Sequence, residues 1–131
     1  MPFRFNQVAA AVLTLTLMLS LLQGLAQAGD PPVLNEKEIL TQIIGNTATG
    51  KTNGVRWSEY YEPNGTIHGR WRNDPYQGKW SISGSEVCYD YAGSEDDGCW
   101  TMSLMGDEIT YYKDGKPDGT AKLLKGNPKD L

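Results

Sequence analysis

The sequence is poor in the side chains on which most enzymes depend. Its 131 residues include one histidine, His68, and two cysteines, Cys88 and Cys99. We recognise no HExxH, CxxC, P-loop or GxGxxG motif. An enzyme would need a nucleophile with a base, a carboxylate pair or a metal cluster, and no such set stands out. We therefore predict a non-enzymatic protein with no catalytic residue, no metal site and no cofactor.

Basic residues are also in the minority, with 12 against 16 acidic residues and a net charge of −4 at pH 7. An acidic surface repels phosphate backbones and anionic lipids. We therefore expect neither a nucleic-acid partner nor a membrane-surface partner. A small ligand or a basic protein is a more suitable partner for an acidic chain. We also expect the protein to be a monomer.

Charge is nearly absent from the first 28 residues, which contain only Arg4. An apolar run from Val8 to Leu22 follows, and then the small-x-small sequence Ala26-Gln27-Ala28. This order is typical of a secretory signal peptide, here residues 1–28. The run is shorter than the roughly 20 residues that span a bilayer, so we predict no membrane span. Residues 29–131 would be exported to the periplasm or secreted, with a net charge of −5.

The two cysteines are eleven positions apart. In an exported chain, an isolated pair at this spacing favours a disulfide between Cys88 and Cys99. Metal ligation or a catalytic thiol is the alternative, and either would need a neighbouring histidine. A constraint of this kind matters in a domain of only 103 residues, which buries about two thirds of its unfolded surface.

A linker over 29–34 and a single domain over 35–131 are expected beyond the signal segment. Asn35 and Glu38 have the spacing of a capping box, with Leu34 and Ile39 at the staple positions around it. Apolar residues then recur at helical spacing until Gly45. The pattern predicts one short helix over 36–44.

Everything after the helix alternates with period two between clusters of Gly, Pro, Asn and Asp. This pattern predicts an all-β domain, a small up-and-down antiparallel meander or barrel of seven to eight strands. The predicted strands are 55–62, 66–71, 78–83, 86–91, 99–105, 108–112 and 120–125, with 46–52 as a possible eighth.

Turn chemistry sets the predicted register of these strands. The two-residue turn Gly84-Ser85 places Ile82 opposite Val87. The same reasoning pairs Leu104 with Ile109, Trp57 with Trp71 and Tyr61 with Ile67. Setting Cys88 opposite Cys99 for the disulfide places Val87 opposite Trp100 on the same inner side and leaves the sulfurs on the outer face. All of these registers place apolar residues on one continuous inward face.

Glu59 is the exception on that face. It lies between Trp57 and Tyr61 and opposes Gly69, which has no side chain to fill the space. A carboxylate in an aromatic interior is what the polar anchor of a ligand pocket would look like. We predict Glu59, Trp57, Tyr61 and Trp71 as ligand-binding residues. In the alternative, Glu59 lies at the rim, solvated or paired with a nearby arginine.

Two further groups of residues are candidates for contact with a partner. Tyr60, Tyr76, Tyr91 and Tyr112 are expected to be free to contact a partner or a sugar. The loop Ser94–Gly98 carries three carboxylates, too few for a typical calcium site, so it is expected to be a solvated turn or a docking patch for a basic partner.

Several short motifs resemble known families. Gly45-Asn46-Thr47, Tyr61-x-Pro63-x-Gly65-Thr66, Gly78-x-Trp80 and Cys99-Trp100 resemble a family of small secreted bacterial β-domains of unknown function. The two Gly-x-Trp elements, Gly69-Arg70-Trp71 and Gly78-Lys79-Trp80, are similar to those of lipocalin and avidin-type barrels. The compact, cystine-bearing chain is also similar to small periplasmic barrel inhibitors of lysozyme. These resemblances imply the fold and no particular activity.

The sequence thus favours an exported non-enzymatic binding module that holds a small ligand or docks on a partner protein. An inhibitor of a secreted or periplasmic hydrolase is the alternative. The acidic net charge and a stiff loop over 92–98 motivate it.

Overall fold

The computed structural model describes residues 29–131, which form an eight-stranded antiparallel barrel. Each strand pairs with the next, and the first pairs with the last, so the sheet closes. The predicted signal segment 1–28 lies outside the described residues. The strands are β1 (Thr47–Thr52), β2 (Val55–Tyr61), β3 (Thr66–Trp71), β4 (Asp74–Ser83), β5 (Glu86–Asp90), β6 (Gly98–Met105), β7 (Glu108–Lys113) and β8 (Lys116–Leu124).

The registers predicted from the turns and from the disulfide are confirmed. Ile82 pairs with Val87, Leu104 with Ile109, Trp57 with Trp71, Tyr61 with Ile67, Val87 with Trp100, and Cys88 with Cys99. The possible eighth strand is present as β1. Agreement at every turn follows from the strict alternation of inward and outward side chains, because a slip of one residue would expose the whole apolar face.

Two strands begin earlier than predicted. β4 starts at Asp74 rather than 78, and β8 starts at Lys116 rather than 120. Polar and proline-containing stretches resemble loops in sequence, yet here tight turns immediately before them continue the hairpins. Arg72 and Asp114 adopt left-handed φ values of 56° and 50° in those turns.

The helical segment precedes β1 and differs in type from the prediction. Its first turn, α1 (Glu36–Glu38), has the predicted capping box: Glu38 N–H donates to Asn35 Oδ1 (3.0 Å), and Asn35 N–H donates to Glu38 Oε2 (2.8 Å). The segment Ile39–Ile43 then continues as a π-helical turn rather than an α-helix. Leu34 and Ile39 are both buried, as a hydrophobic staple requires.

Within the predicted linker 29–34, the last two residues pack on the barrel. β5 pairs with β6 over only three positions, which leaves the rest of β6 open on that side. Val33 forms an antiparallel bridge with Ser103, and Leu34 N–H donates to the Met102 carbonyl (2.8 Å). The segment therefore completes the wall there. No helix within residues 29–131 has the length and apolar character needed to cross a membrane.

The core lies inside the barrel and continues under the helical segment. Ile39 and Ile43 belong to the same buried cluster as Tyr61, Ile67 and Met102. The helical segment lies where β1 begins, at one end of the barrel. The other end, which we call the aromatic end, carries the side chains of Trp57, Trp71, Tyr76, Tyr91 and Trp100 at or near the strand termini.

Candidate ligand site inside the barrel

The carboxylate of Glu59 lies inside the barrel. Its residue is only 7% exposed, and it opposes Gly69, as the register predicted. It is neither solvated at the rim nor paired with an arginine, so the alternative interpretation of Glu59 is wrong. A buried charge requires polar partners, and the neighbouring strands supply them.

Three tyrosine hydroxyls donate hydrogen bonds to this carboxylate. Oε1 accepts from Tyr76 (2.7 Å) and Tyr91 (2.6 Å), and Oε2 accepts from Tyr61 (3.0 Å). The donors come from β2, from β4 and from the residue that follows β5. The carboxylate therefore joins distant parts of the chain at one point.

Two glycines make room for two of these rings. A side chain at Gly69 would collide with the ring of Tyr76, and one at Gly78 would collide with the ring of Tyr91. The space opposite Glu59 is thus filled by a tyrosine from the next strand. Each ring crosses a glycine and so brings its hydroxyl to the carboxylate.

The expectation that Tyr76 and Tyr91 are free to contact a partner is wrong, because both point inward. Tyr76 lies two residues before Gly78, and Tyr91 lies two residues after Tyr89, so period-two alternation extended to these positions would have assigned both to the inward face. Tyr60 and Tyr112 are half-buried and take no part in this cluster.

Two more tyrosines complete what we call the Glu59–tyrosine cluster, which comprises Glu59, Tyr61, Tyr76, Tyr89, Tyr91 and Tyr111. The hydroxyls of Tyr89 and Tyr111 are buried and make no hydrogen bond of good geometry to any described residue. Burial raises the pKa of both groups, although the Tyr61 hydroxyl lies near enough to lower it in part. The Tyr89 ring packs against those of Tyr61 and Tyr91, with centroids 6.0 and 6.3 Å apart. Unpaired buried hydroxyls are uncommon in proteins, and each requires an explanation.

The electrostatics of the cluster favour protonated groups. Burial raises the pKa of Glu59, and the hydrogen bonds from Tyr91, Tyr76 and Tyr61 oppose that rise only in part. Burial also raises the pKa of Tyr76 and Tyr91, and the Glu59 charge raises it further. The tyrosines therefore remain hydrogen-bond donors at any physiological pH.

Replacing Glu59 with glutamine should remove a pH dependence of stability. Because the pKa of Glu59 is raised in the folded state, the folded protein holds a proton that the unfolded chain has lost, and stability falls as pH rises from near the usual value of 4.5. In urea denaturation, the Glu59→Gln variant should match the parent below pH 4 and become progressively more stable than the parent above pH 5. A difference that is constant with pH would contradict the burial of a titrating carboxyl group.

An added methyl group at either ring-covered glycine should displace a tyrosine donor. Gly69→Ala or Gly78→Ala should cost about 1–3 kcal/mol of unfolding free energy, as overpacking does. Gly119→Ala is the matched control, because nothing lies within 4 Å of a side chain there. Equal stabilities of the three variants in urea denaturation would show that the rings do not depend on these glycines.

The structure separates the four residues predicted to bind a ligand. Tyr61 bonds to Glu59 directly, whereas Trp57 and Trp71 lie opposite each other at the aromatic end and make no hydrogen bond to it. Trp57 Nε1–H donates to Thr52 Oγ1 (3.1 Å), and Trp71 is 39% exposed. A role for these four residues in binding stays a prediction.

The acidic loop after β5 is organised by one of its own carboxylates. Asp97 Oδ1 accepts from Tyr91 N–H (2.6 Å), and Oδ2 accepts from Gly93 N–H (2.8 Å). The disulfide between Cys88 and Cys99 is formed at the base of the loop, as predicted. Within residues 29–131, no three His, Cys, Asp or Glu side chains are grouped so that they could hold a metal ion.

The expectation that the sequence contains no P-loop motif is wrong as far as its letters go. Gly45-Asn46-Thr47-Ala48-Thr49-Gly50-Lys51-Thr52 matches the letters of a P-loop. A P-loop wraps phosphate between a strand and the N-terminus of a helix, whereas Thr47–Thr52 is itself strand β1 and leads into a β-hairpin. The match in letters therefore does not form a phosphate-binding loop here.

The eight-stranded up-and-down barrel is compatible with the lipocalin-like architecture that the Gly-x-Trp elements suggested. Comparison with known proteins found no matching family model, no match among curated proteins and no match among solved structures.

Proposed function

We propose that this protein is an exported, non-enzymatic binding module that holds a small organic ligand at the Glu59–tyrosine cluster. The observation that carries the proposal is the pair of unpartnered hydroxyls, Tyr89 and Tyr111, buried beside a carboxylate. Leaving a buried polar group unpaired costs about 1–3 kcal/mol. A ligand with polar groups at this position would remove that cost.

The cluster defines which ligand chemistry would fit. Glu59 Oε2 accepts one hydrogen bond, from Tyr61, and can accept another. The hydroxyls of Tyr89 and Tyr111 can each donate and accept. A ligand with a hydroxyl or amino group on a flat apolar body would therefore bond to the cluster and pack against its rings.

Access would be from the aromatic end, because the helical segment lies at the other end of the barrel. Trp71 is the large apolar side chain most exposed there. Eight-stranded barrels are just wide enough to hold one small ligand, and lipocalin-like proteins use this property. Membership of the family of small secreted bacterial β-domains is part of the same proposal.

Export is supported by the disulfide. Cysteine pairs of this kind persist in oxidising compartments and are rare in the cytosol. The signal-like segment 1–28 would direct the chain to the periplasm or the medium, where we expect it to act as a monomer.

A second candidate function is inhibition of a secreted hydrolase through the acidic loop. Asp97 and the disulfide hold this loop in one conformation, and Glu95 and Asp96 are exposed on it. Charges on a rigid loop steer the approach of a basic partner. A hydrolase recovered with the protein from a periplasmic extract would favour this candidate.

Tryptophan emission provides the test of ligand binding. Titration of the parent with a small-molecule extract of the host culture should change the emission, because Trp57 and Trp100 lie at the aromatic end. The Glu59→Gln variant should stay folded by circular dichroism and show no change. An identical response of the two proteins, or none in the parent, would contradict the proposal.

A further inference from the structure

The arginines of the described chain are gathered on one side of the barrel. Arg56 is the second residue of β2, Arg70 lies near the end of β3, and Arg72 follows in the next turn. Lys51 pairs with Arg56 across β1 and β2, and Arg72 N–H donates to the Arg56 carbonyl (2.9 Å). We call Lys51, Arg56 and Arg72 the cationic row, because they lie side by side across three neighbouring segments.

Within residues 29–131, no carboxylate forms an ion pair with this row. The ion pairs there join Glu62 to His68 and Asp107 to Lys122. All three side chains of the row are exposed. Like charges on directly opposed strand positions repel each other and destabilise the pairing. In a protein with an excess of acidic residues, placing these cations side by side costs folding free energy, and side-chain packing does not explain why they lie together.

Arg72 adds backbone strain to the row. Its φ of 56° is left-handed, a conformation in which glycine or asparagine is more comfortable than arginine. Strain of this kind, held by the surrounding turn, is a feature of functional positions. Arg72 therefore combines two unfavourable features, repulsion from neighbouring cations and a strained backbone.

A cavity of about 480 Å³ opens beside the row, where β1 and β8 separate after pairing at Thr47–Thr49. Lys51, Arg56 and Lys122 line it with the hydroxyl-bearing side chains of Thr49 and Thr120. Asp107 and Glu108 also line it, and Asp107 is paired with Lys122 at 3.1 Å. The cavity therefore presents the cations of Lys51 and Arg56 together with two hydroxyls.

We propose that the cationic row binds an acidic polysaccharide, whose carboxylates pair with the row while its hydroxyl groups bond to Thr49 and Thr120 in the adjoining cavity. Neighbouring strands lie about 4.8 Å apart, so the row presents charges repeated over roughly 10 Å, which suits an extended chain better than a single anion. The arginine fork matches the planar carboxylate with two parallel hydrogen bonds.

A membrane surface fits this region less well. The loop with Glu95 and Asp96 is at the same end of the barrel, and an anionic bilayer broad enough to meet the row would also meet these carboxylates. A narrow chain along the outer wall of β1 to β3 avoids them. This surface is separate from the interior cluster, so the inference does not rest on the proposed interior ligand.

Polygalacturonate is the probe, and its fully methyl-esterified form is the uncharged control. By titration calorimetry at low salt, the parent should bind polygalacturonate, bind the esterified polymer at least about tenfold more weakly, and lose affinity as salt rises. The double variant Lys51→Gln/Arg56→Gln should lose at least about tenfold in affinity. The matched control Lys37→Gln/Lys79→Gln, which removes two lysines elsewhere, should bind as the parent does.

Fold and binding can be read separately in these variants. The Lys51→Gln/Arg56→Gln variant should melt at or above the parent temperature, since it removes like-charge repulsion, and Glu59→Gln should leave polygalacturonate binding unchanged. Absence of binding by the parent, or equal binding by the two double variants, would overturn the proposal. Tighter binding of single-stranded DNA, ATP or phosphatidylglycerol vesicles than of polygalacturonate would overturn the assignment to a polysaccharide.

Discussion

Replacement of Glu59 with leucine should destabilise the barrel by about 3 kcal/mol or more, since each buried hydroxyl left unpaired costs about 1–3 kcal/mol. Tyr61, Tyr76 and Tyr91 would all lose their acceptor. A domain of this size has about 5–15 kcal/mol of stability in total, so the loss would be a large share of it. Urea denaturation at pH 7 measures this loss directly.

Glutamine at the same position is the control. Its carbonyl oxygen can accept from Tyr76 and Tyr91, while its amide group donates to the Tyr61 hydroxyl. We therefore expect Glu59→Gln to be at least as stable as the parent at neutral pH, where burying a charge is costly. If leucine proved as stable as glutamine, the three hydrogen bonds would contribute nothing to the fold.

Removal of the disulfide should have an effect of similar size. The bond between Cys88 and Cys99 closes a loop with a sequence separation of 11, worth roughly 3 kcal/mol in the chain-entropy model. The double variant Cys88→Ala/Cys99→Ala should therefore unfold at a clearly lower temperature, in reducing and in oxidising buffer alike.

The parent protein provides the comparison for that result. Treated with a reductant, it should approach the melting temperature of the double variant, and after reoxidation it should recover. An unchanged melting temperature in the double variant would show that the barrel's hydrogen bonds alone fix the pairing of β5 with β6.

Much of the fold could be predicted because its information is local. Turns such as Gly84-Ser85 determine which residues face each other, and period-two alternation then assigns the faces. The extended starts of β4 and β8 could not be predicted in this way. Their residues are polar, and only hydrogen bonding to a neighbouring strand makes them sheet.

The candidate site was predictable only in part. The inward position of Glu59 followed from its register, but its partners did not. Tyr76 and Tyr91 reach the carboxylate across Gly69 and Gly78, and such a contact depends on how strands tilt in the closed barrel. Alternation assigns these rings to the inward face, yet it does not say how far along the barrel they extend.

The pairing of Lys51 with Arg56 in the cationic row could have been predicted from the sequence. Asn53 and Gly54 form the two-residue turn between β1 and β2, with φ values of 49° and 77°. Such a turn places Lys51 opposite Arg56. The net charge of the chain does not indicate this arrangement, because an acidic composition does not determine where the few arginines lie in the fold.

Native mass spectrometry of the protein purified from its own host is the most direct test of the ligand site. Under gentle ionisation the parent should carry an additional small-molecule mass, and that mass should be absent from the Glu59→Gln variant prepared in the same way. A parent free of any bound small molecule, or the same additional mass on both proteins, would contradict a ligand site at the Glu59–tyrosine cluster.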